Sequence, residues 1–251
     1  MLVQVDAAAI EWRVALELSR DQTGIDELVY ALSLPPEEQK KHDTHTKNQE
    51  YFQLPSRVIA KRYLFRTIYR GSGYAFAHDP EYAHVSTSVK YWDNLNEKFY
   101  EKYNGLDQWH KHMAKLVMEG QEIVSPFGRR WNIKPIPDFR GDLQPPWTVF
   151  SNYPVQGTAA DIMMLARLSF ARRLKEKGWP VLLISTVHDS IVVDAPREYA
   201  QDVVNLFYQV FDDLIGNIKK IFGYDWIVPL GCECKAGMNM LDMKEVGRTD
   251  K

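Results

Sequence analysis

Cysteine is nearly absent from this chain: Cys232 and Cys234 are the only two among 251 residues. They stand two apart in a segment that alternates like a strand, so both thiols fall on one side and are poorly placed to bridge. A disulfide framework is thereby excluded, and a reducing compartment is implied. Long apolar runs are missing as well. No run reaches membrane-spanning length and no charged-then-apolar leader opens the chain, so a soluble, cytoplasmic protein with no membrane partner is expected. Net charge is also lacking, with 31 basic residues against 33 acidic ones. Any polyanion must then be held by a local basic face and not by a general positive field. Repeats and low-complexity tracts do not occur. What is there is 45% hydrophobic and 12% aromatic, ample for a globular core in one large domain or two small ones.

Residues 2–5 alternate as a strand and deliver Asp6 at its end, and residues 7–16 read as a helix. Asp6 is either an ordinary helix N-cap or a carboxylate held at a strand terminus. Residues from about 20 to 120 are polar, rich in Tyr, His and Lys and partly helical, with breaks at Leu34-Pro35-Pro36 and Gly71-Ser72-Gly73, as in an insertion between strands. Within it a helix is predicted from about 57 to 70, where Arg57, Lys61, Phe65 and Tyr69 form a row about 18 Å long at a rise of about 1.5 Å per residue. Two cations followed by two aromatics could bind a triphosphate and stack a base; the plainer reading is a solvated charged face with its aromatics packed inward. Arg62, Arg66 and Arg70 form a second row about 100° away. No acidic residue lies between Arg57 and Arg70, so an uncompensated cationic helix is expected. His45, in Asp43-Thr44-His45-Thr46, is either an imidazole offered to phosphate or simply exposed. The aromatics of a helix over about 89–103 read as its packing face.

Residues 123–133 read as a hairpin with paired arginines in its turn, 151–157 as a polar loop, and 158–177 as an amphipathic helix. Residues 181–193 look like two buried strands meeting at His188-Asp189, which is either a turn that favours Asp or a carboxylate held by the packing beneath it. A helix over about 198–222, a strand over about 226–235 and a charged tail follow. Together these predict an α+β domain carrying a helical lobe.

Several of these pieces, in this order, resemble the polymerase region of the bacterial DNA polymerase I family (family A), particularly replicative polymerases of short-tailed phages. Asp6-x-x-x-Ile10-Glu11-x-Arg13 is similar to the family's first motif, Arg57-x-x-x-Lys61-x-x-x-Phe65-x-x-x-Tyr69 to its second, and Val187-His188-Asp189 to its third. Phe127-Gly128-Arg129-Arg130 and the run from Asn152-Tyr153-Pro154 to Ala160-Asp161 are similar to two further signatures. Asp43-Thr44-His45-Thr46-Lys47-Asn48-Gln49 resembles the phage members most.

The resemblance implies a right-hand polymerase fold: an antiparallel-sheet palm over 1–20 and 121–251, a helical fingers subdomain over 21–120, and a missing thumb. It implies template-directed transfer of dNTPs to a primer 3′-hydroxyl, with two Mg²⁺ ions, or alternatively Mn²⁺, held by Asp6 and Asp189 and by the backbone carbonyl of Ala7. Hard oxygen ligands suit such ions. By the same resemblance Arg57, Lys61 and His45 contact the triphosphate, with Lys61 also the general acid. Phe65 packs on the incoming nucleotide, Tyr69 moves as the fingers close, and Glu11 is the steric gate against a ribose 2′-hydroxyl. Arg129, Asn152, Gln156 and His188 line the primer-template.

Three departures stand out. Ala7-Ala8-Ala9 replaces a polar triplet, Ser190 stands where the family has Glu, and Arg66 and Arg70 occupy positions that are commonly glycine. A separate chain supplying the thumb and upstream palm is expected as a partner, and the location is the host cytoplasm if the chain is phage-encoded. Two rivals remain: a weakened remnant that only binds nucleic acid or a partner, and a metal-dependent nuclease.

Overall fold

The computed structural model describes residues 1–250. The chain divides into two compact units, Met1–Arg13 with the residues from Gln156 onward, and Val14–Val155.

The first unit is built on a five-stranded sheet of order β6-β7-β1-β8-β9, formed by β1 (Leu2–Ala7), β6 (Leu182–Val187), β7 (Ser190–Asp194), β8 (Cys232–Gly237) and β9 (Lys244–Glu245). All of its pairings are antiparallel. The central strand β1 alternates as its sequence predicts: Val3, Val5 and Ala7 are buried while Leu2, Gln4 and Asp6 are half-exposed. Cys232 and Cys234 are both buried and free. Helix α10 (Ala200–Asp212) buries Val203, Phe207, Val210 and Phe211. Phe207 stacks on Phe170 of α9 (Trp147–Lys177) at 3.9 Å between ring centroids.

Several predicted boundaries are corrected. Residues 7–9 are not helical: Ala7 closes β1, Ala9 sits at φ +48°, and α1 runs Ile10–Ser19. The N–H groups of Ala7 and Ala8 donate to Asp189 O and Gly231 O, both at 2.9 Å. Those bonds go to neighbouring segments and delay the helix despite alanine's high propensity. Asp6 is accordingly a strand residue and not an N-cap. The region 198–222 is a 3₁₀ turn (Arg197–Tyr199), α10 and a separate α11 (Leu214–Phe222), and the strand after it starts only at Cys232. The hairpin over 181–193 forms, yet only β7 is buried. In the edge strand β6, Leu182 is 64% exposed, Ile184 51% and Val187 50%.

The predicted loop at 151–157 is helix. Helix α9 runs straight through Pro154. Ser151, Val155, Thr158, Ile162, Ala166 and Phe170 are fully buried at helical spacing, and such burial outweighs the low propensity of Asn, Pro and Gly.

The second unit is helical: α2 (Gln22–Ser33), α3 (Pro36–His42), α4 (Thr44–Tyr51), α5 (Arg57–Ile68), α6 (Gly73–Ala77), α7 (Val89–Lys102) and α8 (Asn104–Met118). Asp21, Asp43, Ser56, Ser72 and Ser88 each cap the following helix by accepting an N–H bond three residues on. Its core is aromatic, with Tyr63, Phe76, Trp92, Phe99 and Tyr103 fully buried, so the expected packing face of α7 forms around Trp92 and Phe99. The pairs β2 (Ile123–Val124) with β3 (Arg130–Trp131), and β4 (Ile136–Pro137) with β5 (Leu143–Gln144), complete it.

Candidate active site

The two aspartates singled out in sequence stand on adjoining strand ends in the first unit. β1 pairs with β7 in the register Asp6↔Ser190, and Ala7 N–H donates to Asp189 O at 2.9 Å. Asp189 and His188 form the two-residue turn between β6 and β7, with His188 at φ +52°. A left-handed backbone at a non-glycine residue is strained. The turn is closed by Ser190 Oγ, which donates to Val187 O at 2.9 Å. Ser190 is buried and its hydroxyl is committed to this bond.

The Asp6 carboxylate is held by its own strand. Gln4 Nε2 donates to both of its oxygens, at 3.0 and 3.2 Å, and Lys235 Nζ of β8 lies 3.9 Å from Oδ2. Sequence reasoning missed both neighbours. The i, i+2 spacing of Gln4 and Asp6 on an alternating strand was the available signal for the first. Lys235 depends on the β1–β8 register, which no local pattern encodes.

On α1, Glu11 accepts from Gln156 Nε2 at 3.3 Å, joining two residues predicted separately. Two residues on, Arg13 is buried and its guanidinium donates to Pro229 O. Burial lowers its pKa to about 10, against the opposing pull of Glu233.

In the second unit the predicted row runs along α5 to its C-cap Tyr69, the helix ending at Ile68 and not near 70, with Arg57 and Lys61 exposed and Phe65 and Tyr69 half-buried. Lys61 Nζ is 5.9 Å from the Phe65 ring centroid, and the His45 ring is 5.9 Å from the same ring. His45 is buried and not solvent-exposed; burial pushes its imidazole down to about 4, with Asp43 opposing and Arg57 and Lys61 assisting. It is therefore neutral at pH 7, and its Nδ1 is buried without a hydrogen-bond partner among the described residues.

The expectation of an uncompensated cationic helix is overturned. Arg57 pairs with Asp43, Arg62 with Glu81 at 3.0 Å, Arg66 with Asp79 at 2.5 Å and Arg70 with Asp107 at 2.6 Å. Among the described residues Lys61 alone of the cations on this helix face has no carboxylate partner. Arg70 also bonds His110 Nδ1 at 2.9 Å and stacks on Tyr100 at 4.0 Å. Arg66 lies over Phe76 and Tyr82. These two arginines cross-link the helical unit internally.

Arg129 sits in the β2–β3 turn, where its N–H donates to Ser125 Oγ at 3.0 Å. Asn152 is half-buried on α9.

The family model for DNA polymerase family A matches residues 1–242. The chain belongs to DNA polymerase family A. It is 29% identical over 209 residues to DNA polymerase I of Aquifex aeolicus, covering 79% of this chain and 33% of that protein. It is 28% identical to the thermostable DNA polymerase I of Thermus aquaticus, covering 98% and 27% respectively. A DNA polymerase of Bacillus phage SP01 is 22% identical over 75% of the chain. The chain thus spans about a quarter to a third of the length of these bacterial relatives. Among solved structures, the POL domain of Pol1 from M. smegmatis, in complex with DNA primer-template and dNTP, is similar in fold with a TM-score of 0.66 over 93% of this chain, at 17% identity. The α+β polymerase-domain fold expected from the sequence is therefore the one observed.

Family A polymerases depend on divalent metal, and the donor set here suits a hard cation: two carboxylates and backbone carbonyls, with no thiol or imidazole required. The residues that would hold it are Asp6, Asp189 and the carbonyl of Ala7. Among the described residues no group of three or more acidic, His or Cys side chains forms a metal cage, so the set rests on two acids.

Proposed function

We propose that this chain carries out template-directed DNA synthesis, transferring a nucleotide from a dNTP to a primer 3′-hydroxyl. The observation that carries the reading is the juxtaposition of Asp6 and Asp189 on adjoining strand ends, tied by the Ala7–Asp189 backbone bond. Asp6, Asp189 and the carbonyl of Ala7 would hold two divalent ions, Mg²⁺ or alternatively Mn²⁺. The chemistry such ions would supply there is activation of the 3′-hydroxyl and neutralisation of charge on the leaving pyrophosphate. Residues 1–20 and 121–251 serve as palm and 21–120 as fingers.

The side chains divide the remaining work. Lys61, whose ammonium has no carboxylate to satisfy it, binds the triphosphate and gives a proton to pyrophosphate. Arg57 and His45 assist, Arg57 by exchanging Asp43 for phosphate and His45 through a ring nitrogen. Phe65 packs on the incoming nucleotide, and Tyr69 moves in a closing step that can limit turnover. Glu11, steadied by Gln156, excludes a ribose 2′-hydroxyl. Arg129, Asn152, Gln156 and His188 contact primer-template, where minor-groove acceptors are nearly independent of sequence.

A further polypeptide supplying thumb and upstream palm completes the enzyme. The open edge of β6, with exposed Leu182, Ile184 and Val187, supports a covering chain. No described helix is long and apolar enough to cross a membrane, and we assign the chain to the cytoplasm, that of the host if it is phage-encoded.

Primer extension tests the reading, with this chain alone and with the product of the adjacent upstream reading frame. The expected result is dNTP-dependent extension with pyrophosphate release, strongly raised by the second chain. Full, processive synthesis by this chain alone contradicts the split arrangement, and DNA cleavage without dNTPs identifies a nuclease. A second reading, a remnant that binds DNA without catalysis, is favoured by Ser190, which leaves Asp189 without an acidic neighbour in sequence. DNA binding with no extension under either condition supports that alternative.

A further inference from the structure

We propose that Lys235 is the built-in counter-charge of Asp6, occupying the neighbourhood of the carboxylate when no divalent ion is bound and setting how tightly one binds. This inference rests on the assignment of Asp6 as a metal ligand.

The strand register carries it. β8 runs beside β1 with Gln4↔Lys235 and Asp6↔Glu233 as partners. Directly opposed residues of an antiparallel pair share a face, so Lys235 and Glu233 emerge with Gln4 and Asp6, while Cys232 and Cys234 point into the core. Lys235 Nζ reaches diagonally to 3.9 Å from Asp6 Oδ2. The same carboxylate accepts two hydrogen bonds from Gln4, so a donor and a cation already attend it. From β7 the group opposite Asp6 is Ser190, neutral and bonded to Val187 O. From β8 the group opposite is Glu233, whose charge also acts on the buried guanidinium of Arg13. Lys235 is thus the cation in contact with Asp6 from the flanking strands, and its side chain is only 39% exposed.

A fixed positive charge at this distance opposes the entry of a divalent cation. Two like charges this close repel more strongly near a protein surface than in bulk water. The ammonium must swing away as the ion arrives, and its four-carbon stem permits that. Lys235 therefore acts through Asp6 as a positioning residue. The expected consequence is a raised metal requirement, together with an Asp6 side chain that keeps its orientation when metal is absent.

Mn²⁺ binding to the full chain, followed by electron paramagnetic resonance of the free ion, reads this without any need for activity. Lys235→Met keeps the stem and removes the charge, and about three- to tenfold tighter Mn²⁺ binding is expected from the loss of one nearby charge. Lys235→Arg keeps the charge and should stay near wild type. Raising salt should narrow the difference between Lys235→Met and wild type. Asp6→Asn separates the two levels of the argument. If it leaves Mn²⁺ binding unchanged, the metal-ligand assignment fails and this inference with it. If Asp6→Asn abolishes binding while Lys235→Met matches wild type or binds more weakly, only the counter-charge role is overturned. Unchanged Mn²⁺ affinity with weakened primer-template binding in Lys235→Met would assign the lysine to DNA and likewise overturn it.

Discussion

His188 and Arg70 both hold left-handed backbones, at φ +52° and +59°, and each does so for a reason its neighbours supply. His188 is the first residue of a two-residue hairpin turn, where positive φ suits the twist of the flanking strands. Arg70 follows α5 at the position where Gly71 N–H returns to Arg66 O at 3.0 Å, a helix ending that favours glycine. The family's usual glycine fits that backbone need; here an arginine bears the strain and offsets it through Asp107, His110 and Tyr100. Arg70→Ala keeps the strain and loses the contacts, so a loss of about 2 kcal/mol is expected in chemical denaturation. Arg70→Gly should be the more stable of the two variants by about 1 kcal/mol. At this scale the sequence marked Asp6 and Asp189 as residues at the ends of apolar strand runs, each with a plainer reading as a cap or a turn, and the family resemblance singled them out. It could not reveal that the α5 arginines are neutralised, since the carboxylates that do so lie 13 to 37 residues away along the chain.

Among the elements, β1 was legible because strict alternation with one buried face leaves little freedom of register, and β7 because its short β-branched run is buried on both faces. β6 was misread as buried: an apolar run looks the same whether it packs inside or waits at an uncovered edge. The first turns of α9 were misread as a loop because Ser151, Asn152, Pro154 and Gly157 are each poor helix formers. Only the spacing of Val155, Thr158 and Ile162, all fully buried, reveals the helix. Capping and stacking supply testable energies. Phe207→Ala, which removes the ring stacked on Phe170, is expected to cost about 3–5 kcal/mol by thermal or denaturant unfolding. Asp43→Ala removes both the α4 cap bond to Thr46 N–H and the partner of Arg57. It should destabilise the chain by about 1 kcal/mol while strengthening triphosphate binding through the freed guanidinium, an opposed pair of effects that calorimetric titration with dNTP can separate.

Across the whole molecule, a net charge of −2 concealed how locally the charges are arranged, and two buried histidines couple that arrangement to pH. Burial lowers His45 to about 4, and burial together with Arg70 lowers His110 to about 3. In the unfolded chain both titrate near about 6.5. The unfolded state therefore takes up protons first as pH falls, so stability is fully present above about 6.5 and is lost progressively toward about 4 for His45 and about 3 for His110. Melting temperatures across that range should fall with acidification, and His110→Gln should flatten the slope. An unchanged slope in His110→Gln would mean that this imidazole is not held neutral in the folded state. The central claim, that Asp6 and Asp189 form one metal-dependent centre for nucleotidyl transfer, is tested most directly by pyrophosphate release on primer-template. The measurement compares wild type with Asp6→Ala and Asp189→Ala, each supplemented with the product of the adjacent upstream reading frame. Each substitution alone is expected to lower the rate by on the order of a thousandfold or more with DNA binding retained; release that continues at the wild-type rate in either variant would contradict it.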